Sequence, residues 1–177
     1  MVPTGWKNSE APNMAFSKYL TPEQALQKLK HYCAYQERCH YEVVQKLYDL
    51  GVRKAEHDTI LATLIEENYL NEERFAIAYA GGHFRMKQWG RTRITYALKQ
   101  KQVSPYCIKK ALQQIDEADY EKTLRQLAEE KYRSLKKDQY LVRKKKTIDH
   151  LIYKGYEHDL VNKAVARLTG KGANGEE

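Results

Sequence analysis

The sequence has little of what membrane proteins, secreted proteins and nucleotide hydrolases need. None of its apolar runs approaches the ~20 residues that a membrane-spanning helix requires. Residues 1–20 lack the apolar core of a signal peptide. The three cysteines are an odd number without the spacing of a disulfide framework, so a reduced, cytoplasmic setting is expected. Because no glycine-rich phosphate-binding loop is present, we expect no ATP hydrolysis by the chain itself.

Patterns for strands, metal sites and catalytic sites are also scarce. Apolar and polar residues do not alternate at a period of two, so no β-strand is predicted. His31, Cys33, Cys39 and His40 suggest zinc, but their spacing matches none of the usual structural zinc patterns. No histidine–carboxylate pair is accompanied by a nucleophile. We therefore predict no metal, no cofactor and no enzymatic activity.

One apolar pattern occurs three times along the chain, at a period of about 50 residues. Its members are Leu47, Gly51, Val52, Leu61 and Leu64; then Leu98, Gln102, Val103, Leu112 and Ile115; then Leu151, Gly155, Tyr156, Val165 and Leu168. Such self-similarity is typical of a tandem array of one supersecondary unit. Arrays offer long continuous surfaces, whereas catalytic pockets need convergent residues that do not repeat. The pattern therefore favours a binding protein.

Three helices are predicted in each repeat, which gives an all-α fold of about nine helices. Thr21 and Gln24 form a capping box, Gly51 is suited to end a helix, and Ser104 precedes a first-turn proline. The predicted organisation is a flexible segment 1–20, three-helix repeats over 21–70, 71–118 and 119–168, and a disordered tail 169–177.

Two adjacent glycines, Gly81 and Gly82, interrupt the fourth predicted helix. Each glycine should cost roughly 1 kcal/mol relative to alanine in a helix interior. Either a close helix crossing or a functional hinge would explain the pair, and the crossing is the preferred interpretation.

Charge is distributed unevenly over a chain whose net charge is +8. Repeat 1 has a balance of −2, repeat 2 has +5, and residues 119–177 have +4. One acidic unit beside two basic ones predicts a ligand that combines protein with a polyanion, for which nucleic acid is the leading candidate. We expect the acidic first repeat to contact protein.

The candidate binding residues lie in two basic regions. The first contains Arg85, Lys87, Arg91, Arg93, Lys99, Lys109 and Lys110, and the second contains Arg143, Lys144, Lys145 and Lys146. Arg91, Thr95 and Lys99 are spaced to line one helix stripe, which suits phosphates or an acidic protein surface. The second run must encircle its helix, so one or two of its members should approach the buried side. A solvated helix face is the alternative for both regions.

Fourteen tyrosines are a clear excess. Aromatic rings among basic residues can stack on bases. However, several lie beside apolar helical stripes, where packing within or between repeats is the expected role. These residues are Tyr48, Tyr69, Tyr79, Tyr96, Tyr132 and Tyr153.

Three segments together resemble the RecX family, whose members regulate the bacterial recombinase RecA. They are YLNEERFA (Tyr69 to Ala76), WGRTRI (Trp89 to Ile94) and IDHLIYKGYEHDLVNKAV (Ile148 to Val165). The similarity covers roughly residues 22–168. At two places the chain differs from the family pattern, which has better helix formers at Gly81–Gly82 and a glycine at Gln102.

The resemblance implies an elongated, curved array that binds the groove of the RecA–single-stranded DNA filament. It implies damped ATP hydrolysis and strand exchange, no activity of its own, a secondary contact with single-stranded DNA, and no membrane association. We expect a monomer. Two other classes remain open: a stand-alone helical nucleic-acid-binding module, and a solenoid-type protein scaffold, whose repeats are commonly shorter than 50 residues.

Overall fold

Nine α-helices build the part of the chain that the structure describes. The computed structural model describes residues 20–172, with side chains to residue 170, and within that range it contains no strand. The helices are α1 (Pro22–Tyr35), α2 (His40–Asp49), α3 (Lys54–Glu66), α4 (Glu72–Lys87), α5 (Arg91–Gln100), α6 (Pro105–Gln113), α7 (Glu117–Ser134), α8 (Tyr140–Lys154) and α9 (His158–Gly172). The prediction of three consecutive three-helix units is confirmed.

Local capping explains several of the helix boundaries. The Thr21 hydroxyl accepts a hydrogen bond from the Gln24 backbone N–H, and the Gln24 side chain accepts one from the Thr21 N–H. Asn71 accepts from the Arg74 N–H at 2.9 Å and so begins α4. These bonds satisfy N–H groups that have no partner within the helix. The predicted capping box is therefore confirmed.

The second helix of every repeat ends in the same way. Gly51, Gln102 and Gly155 have φ values of 70°, 57° and 94°, all in the left-handed region. In each repeat the following residue donates its N–H to the carbonyl oxygen five residues earlier, at 3.1, 3.1 and 3.2 Å. This is the hydrogen bond of a Schellman-type helix end. Gln102 thus adopts the conformation that glycine provides in the other two repeats.

The apolar residues of the three repeats form two cores. Repeat 1 has its own core around Leu29, Leu47 and Leu64. Repeats 2 and 3 share a single core that runs from Phe75 to Val165. Tyr120 on α7 and Tyr156 after α8 are both buried in this shared core. An alignment of the repeats with one another does not reveal a core that two repeats share.

Backbone hydrogen bonds join repeats 2 and 3 at a pair of glycines. Gly90 donates its N–H to the Lys154 carbonyl oxygen at 2.9 Å, and Thr92 donates to the Gly155 carbonyl oxygen at 3.0 Å. The start of α5 thereby satisfies carbonyls at the end of α8. A Cβ atom added to Gly90 would lie 2.2 Å from the Gly155 carbonyl oxygen. Only glycine allows this approach, a role of Gly90 that the sequence did not predict.

Ion pairs join repeats 1 and 2. Arg74 Nε lies 2.6 Å from Glu37 Oε1, and Lys101 Nζ lies 2.7 Å from Glu42 Oε1. Cys39, at the start of α2, is fully buried in the core of the next two repeats. Two carboxylates of the acidic repeat are therefore bound by cations of its neighbour.

The preferred interpretation of Gly81 and Gly82 is wrong. The atoms nearest to a Cβ added on Gly81 all belong to Arg85, on the same helix, with Nη1 at 2.8 Å. A Cβ added on Gly82 would meet nothing within 4 Å. Neither position therefore needs glycine for the approach of another helix, and the close approach that does need glycine is made by Gly90 and Gly155. Gly81 leaves space for the Arg85 side chain to fold back.

The ends of the described region also differ from the predicted boundaries. Leu20 packs against the core of repeat 1, and the rest of the predicted flexible segment lies outside the described residues. α9 continues to Gly172, past the predicted end at Leu168. The Thr169 hydroxyl donates to the Val165 carbonyl oxygen at 3.0 Å, the bond to the carbonyl four residues earlier that threonine can make within a helix. Residues 173–177 of the predicted tail lie outside the described residues.

Candidate functional site

The predicted basic residues of repeat 2 occupy three helices. Arg85 and Lys87 lie at the end of α4, Arg91, Arg93 and Lys99 lie on α5, and Lys109 and Lys110 lie on α6. Their surroundings differ, because some of these cations are bound within the molecule while others are exposed. The contacts of each cation therefore determine whether its charge can reach a partner molecule.

Arg91 is held by an intramolecular ion pair. Its Nη2 lies 2.6 Å from Glu117 Oε2, and its guanidinium lies 4.1 Å from the centre of the Tyr120 ring. The hydrogen bond from Arg91 holds the pKa of the Glu117 carboxyl below its ordinary value, with burial acting weakly in the opposite direction. The Tyr120 hydroxyl accepts from the Arg91 N–H and donates to Glu157 Oε2 at 2.7 Å. Arg91 thus links α5 to repeat 3.

Arg93 and Lys87 surround the indole of Trp89. The Arg93 guanidinium lies 4.3 Å from the Trp89 ring centre and 5.0 Å from that of Tyr153. Lys87 Nζ lies 5.1 Å from the Trp89 ring centre, and the His83 ring packs against the same indole at a tilt of 42°, with ring centres 4.5 Å apart. These are cation–π and stacking distances. Trp89, the first residue of WGRTRI, was the available signal for this cluster, which was not predicted from the sequence.

A groove of about 750 Å³ runs between α5, α6 and the start of α7. Thr95, Lys99 and Arg91 line one wall, so these three residues share a face as their spacing predicts. Lys109 lies on the α6 wall, and the apolar floor includes Ile108, Leu112 and Ile115. Both lysines are exposed. We call this feature, with Lys99 and Lys109 as its exposed cations, the basic groove.

Glu117 and Asp116 lie at one end of the basic groove. Glu117 is paired with Arg91 there, so the two exposed lysines are the cations in the groove without an ion pair among the described residues. The remaining predicted residue of α6, Lys110, is half-buried with its Nζ 5.7 Å from the Tyr106 ring centre. Arg85 is exposed at the end of α4.

The basic run on α8 is partly used within repeat 3. Arg143 donates from Nε to the Tyr132 carbonyl oxygen at 2.6 Å, and its guanidinium lies 3.4 Å from the Tyr132 ring centre. Lys146 Nζ lies 2.8 Å from Asp138 Oδ2. Arg143 and Lys144 are half-buried, which confirms that one or two members approach the packed side of the helix. Lys145 is exposed.

Several tyrosines are more exposed than predicted. The expectation of packing is wrong for Tyr48, Tyr96 and Tyr153, each of which is exposed over more than half of its surface. On α5 the buried residues are Ile94 and Leu98, and Tyr96 lies two residues from each, on the opposite face. The same offset separates Tyr153 from Leu151. Tyr69, Tyr79 and Tyr132 are half-buried.

Two tyrosines that the sequence analysis did not single out are the ones that pack most deeply. Tyr120 and Tyr156 are essentially fully buried, with ring centres 5.0 Å apart. Burial raises the pKa of both hydroxyls. They form the centre of the contact between repeats 2 and 3.

The four residues that suggested zinc do not converge. Cys33 lies in the core of repeat 1, while Cys39 lies in the core shared by repeats 2 and 3. Burial raises the pKa of the Cys33 thiol to about 11, which disfavours the thiolate that a metal needs. His40 contacts Glu72 instead, at 3.4 Å. Across residues 20–170, no group of three or more histidine, cysteine or acidic side chains is placed to hold a metal ion.

No helix in the described part of the chain has both the length and the apolar composition that crossing a membrane requires.

Comparison with known proteins places two of the repeats in one family. The model of the second three-helix domain of RecX matches residues 71–112, and that of the third domain matches residues 118–165. A "Regulatory protein RecX" of Clostridium perfringens (strain 13 / Type A) is 38% identical over 136 residues, or 73% of this chain and 63% of the relative. One from Vibrio campbellii is 32% identical over 71% of this chain and 79% of the relative. The chain thus matches less than two thirds of the length of the Clostridium relative.

Solved structures show the same arrangement of helices. The crystal structure of RecX from Lactobacillus salivarius aligns with a TM-score of 0.76 at 22% identity, covering 84% of this chain and 96% of that one. A second crystal structure of a regulatory protein RecX aligns with a TM-score of 0.75 at 21% identity, covering 81% and 72%. At such identities the likeness establishes the fold.

Proposed function

The chain belongs to the RecX family, and we propose that it regulates the RecA recombinase by binding the groove of the RecA–single-stranded DNA filament. Bound there, it damps ATP hydrolysis and strand exchange without catalysing a reaction itself. The observation that carries this proposal is the basic groove, in which two exposed lysines border an apolar floor. Family membership supplies the recombinase as the partner.

The chemistry of the basic groove suits a composite of protein and DNA. Lysine ammonium groups bind phosphates or carboxylates. The apolar floor has no counterpart on a phosphate backbone, and it suits apolar side chains of a protein. Lys99 and Lys109 therefore contact DNA or acidic residues, while Leu112, the half-buried member of the apolar floor, contacts the recombinase. Arg85 and Lys87, exposed at the end of α4, extend the basic surface.

The joined repeats favour binding across neighbouring protomers of a filament. The shared core and the Gly90–Gly155 contact hold repeats 2 and 3 together. When one repeat is bound, contact by the next becomes effectively intramolecular, which raises the overall affinity without requiring any strong individual contact. A regulator that spans protomers can hinder protomer exchange or the entry of a second DNA duplex. Repeat 1 retains exposed carboxylates at Asp58 and Glu66 and is assigned to protein contact.

The test is the DNA-dependent ATPase of the cognate recombinase during titration with this protein. The same preparation is assayed for binding to single-stranded DNA alone at two salt concentrations. The proposal expects ATPase loss well below one molecule per recombinase protomer, with weak binding to DNA alone. Unchanged ATPase combined with tight, salt-sensitive DNA binding would instead support a stand-alone nucleic-acid-binding module. If the protein neither changed the ATPase of the recombinase nor bound single-stranded DNA, the solenoid-type protein scaffold would be the supported alternative.

A charge-reversed pair locates the contact. Lys99→Glu with Lys109→Glu should raise the concentration needed for half-inhibition by about tenfold or more, because both exposed cations of the basic groove are reversed. The control is Lys28→Glu with Lys122→Glu, which makes the same change in net charge at exposed sites on α1 and α7. Equal losses in the two double variants would contradict the assignment to the basic groove.

A further inference from the structure

Helix α8 begins with a turn that the second helices of the other two repeats do not have. The repeat alignment matches His40, the first residue of α2, and Arg91, the first residue of α5, with Lys144. α8 begins at Tyr140, so residues 140–143 form an additional turn. Accordingly, α8 has 15 residues, whereas α2 and α5 have 10 each. Because repeats 1 and 2 fold without this turn, the three-helix unit does not need it.

The additional turn carries three consecutive apolar residues that face solvent. The exposed fractions of Tyr140, Leu141 and Val142 are 53%, 75% and 43%. Arg143 holds the turn against α7 through its hydrogen bond to the Tyr132 carbonyl oxygen. The turn is therefore ordered, yet its apolar side chains cover neither core. A run of exposed apolar residues on an ordered turn is typical of a contact surface.

Basic residues flank these apolar side chains on both sides along the chain. The segment from Lys136 to Lys146 contains six basic residues and one carboxylate, Asp138, which Lys146 neutralises at 2.8 Å. Lys136, Lys137 and Lys145 are exposed. We define the α8 tip as Lys136, Lys137, Tyr140, Leu141, Val142, Lys144 and Lys145. It is an apolar centre with a positive rim, as in the centre and rim of a protein–protein interface.

We propose that the α8 tip docks a segment of a partner protein that combines carboxylates with apolar side chains. The carboxylates complement the lysine rim, and the apolar side chains cover Leu141 and Val142. Nucleic acid fits less well, because phosphates and stacked bases leave two exposed aliphatic side chains unmatched. A membrane surface also fits less well, since interfacial helices bury a long apolar face and the α8 tip offers only one turn. This contact is separate from the basic groove of repeat 2.

The experiment measures fluorescence anisotropy with the full chain and defined probes. The first probe is a short labelled peptide of glutamate and leucine in equal numbers, and the second replaces each leucine with serine. A single-stranded oligonucleotide of matched charge and phosphatidylglycerol vesicles complete the set. The proposal expects the glutamate–leucine peptide to bind about tenfold or more tightly than the glutamate–serine peptide, since only the former buries apolar surface on the α8 tip.

Two variants and a matched control locate the binding. Leu141→Ser with Val142→Ser should weaken binding of the glutamate–leucine peptide by about tenfold, while Ile65→Ser, at an exposed apolar residue of α3, should leave that binding unchanged. Lys144→Glu with Lys145→Glu should weaken it as well and reduce its salt dependence. Equal affinity for both peptides, preference for the oligonucleotide or vesicles, or insensitivity to the serine variant would each overturn the proposal. Circular dichroism verifies that the variants are folded.

Discussion

The contact between Gly90 and Gly155 provides the sharpest test of how repeats 2 and 3 are joined. We predict that Gly90→Ala separates the two repeats locally. Gly90 has φ −75° and ψ 163°, a conformation that alanine adopts without strain. The cost therefore comes from the added Cβ, which would lie 2.2 Å from both the carbonyl carbon and the carbonyl oxygen of Gly155.

The magnitude follows from the two hydrogen bonds at this contact. Relieving the overlap requires a shift of about 1 Å, which lengthens the 2.9 and 3.0 Å bonds made by the Gly90 and Thr92 N–H groups beyond normal range. A buried backbone group left unpaired costs about 1–3 kcal/mol. We therefore expect the free energy of unfolding to fall by about 3 kcal/mol. For a chain of this length, the Tm should fall by about 6–12 °C.

Urea and thermal unfolding followed by circular dichroism measure this change. Gly82→Ala is the matched control, because it makes the same chemical change in a helix where the added Cβ meets nothing within 4 Å. It should stabilise the protein by about 0.5–1 kcal/mol through helix propensity. If Gly90→Ala were as stable as the unaltered protein, the close backbone pairing between repeats 2 and 3 would be refuted.

Two further predictions concern a helix end and a carboxylate. Gln102→Gly should raise the free energy of unfolding by up to about 1 kcal/mol, because φ at this residue is 57° and glycine adopts that value without strain. Gln100→Gly, inside α5, should instead lower the free energy of unfolding by about 1 kcal/mol. The urea midpoints of the two variants measure this difference, and a loss of stability in Gln102→Gly would contradict the left-handed helix end at Gln102. For Glu72, burial alone would raise the carboxyl pKa, but hydrogen bonds from Ser104 and His40 outweigh it and hold the pKa below its ordinary value of 4.5. The resulting stabilisation is present above the pKa of the unfolded state and is lost as the pH falls through the lowered pKa of the folded state. In Glu72→Gln, the free energy of unfolding from urea titrations should therefore fall less steeply as the pH is lowered. If the free energy of unfolding had the same pH dependence in the variant and the unaltered protein, this prediction would be contradicted.

The fold was predictable because its determinants are local and repeated. The capping box at Thr21, the asparagine cap at Asn71 and the glycine ends at Gly51 and Gly155 lie within a few residues of the boundaries that they set. The connection between repeats depends instead on residues far apart in sequence. Gly90 pairs with Lys154, and its need for glycine comes from a backbone that arrives from the next repeat. The residue pattern within one repeat therefore cannot indicate that position 90 requires glycine.

The candidate site was predictable as a region and only partly as a set of side chains. Helical spacing correctly placed Arg91, Thr95 and Lys99 on one groove wall. It could not indicate that Arg91 is paired with Glu117, 26 residues later, because that contact arises from packing of the start of α7 against α5. The prediction of packing failed for Tyr48, Tyr96 and Tyr153 for a related reason. Proximity to an apolar residue in sequence is not proximity in space when the two lie on opposite helix faces.

Intramolecular pairing determines which cations of this basic chain remain exposed. Repeat 2 has the highest positive balance, yet Arg91 pairs with Glu117 and Lys101 pairs with Glu42. Both pairs serve contacts between neighbouring repeats. Lys99 and Lys109 in the basic groove, and Lys136, Lys137 and Lys145 at the α8 tip, remain exposed beside apolar residues. Cations beside apolar side chains match a protein surface better than they match bare DNA, and this is why we place the recombinase, with its DNA, ahead of nucleic acid alone.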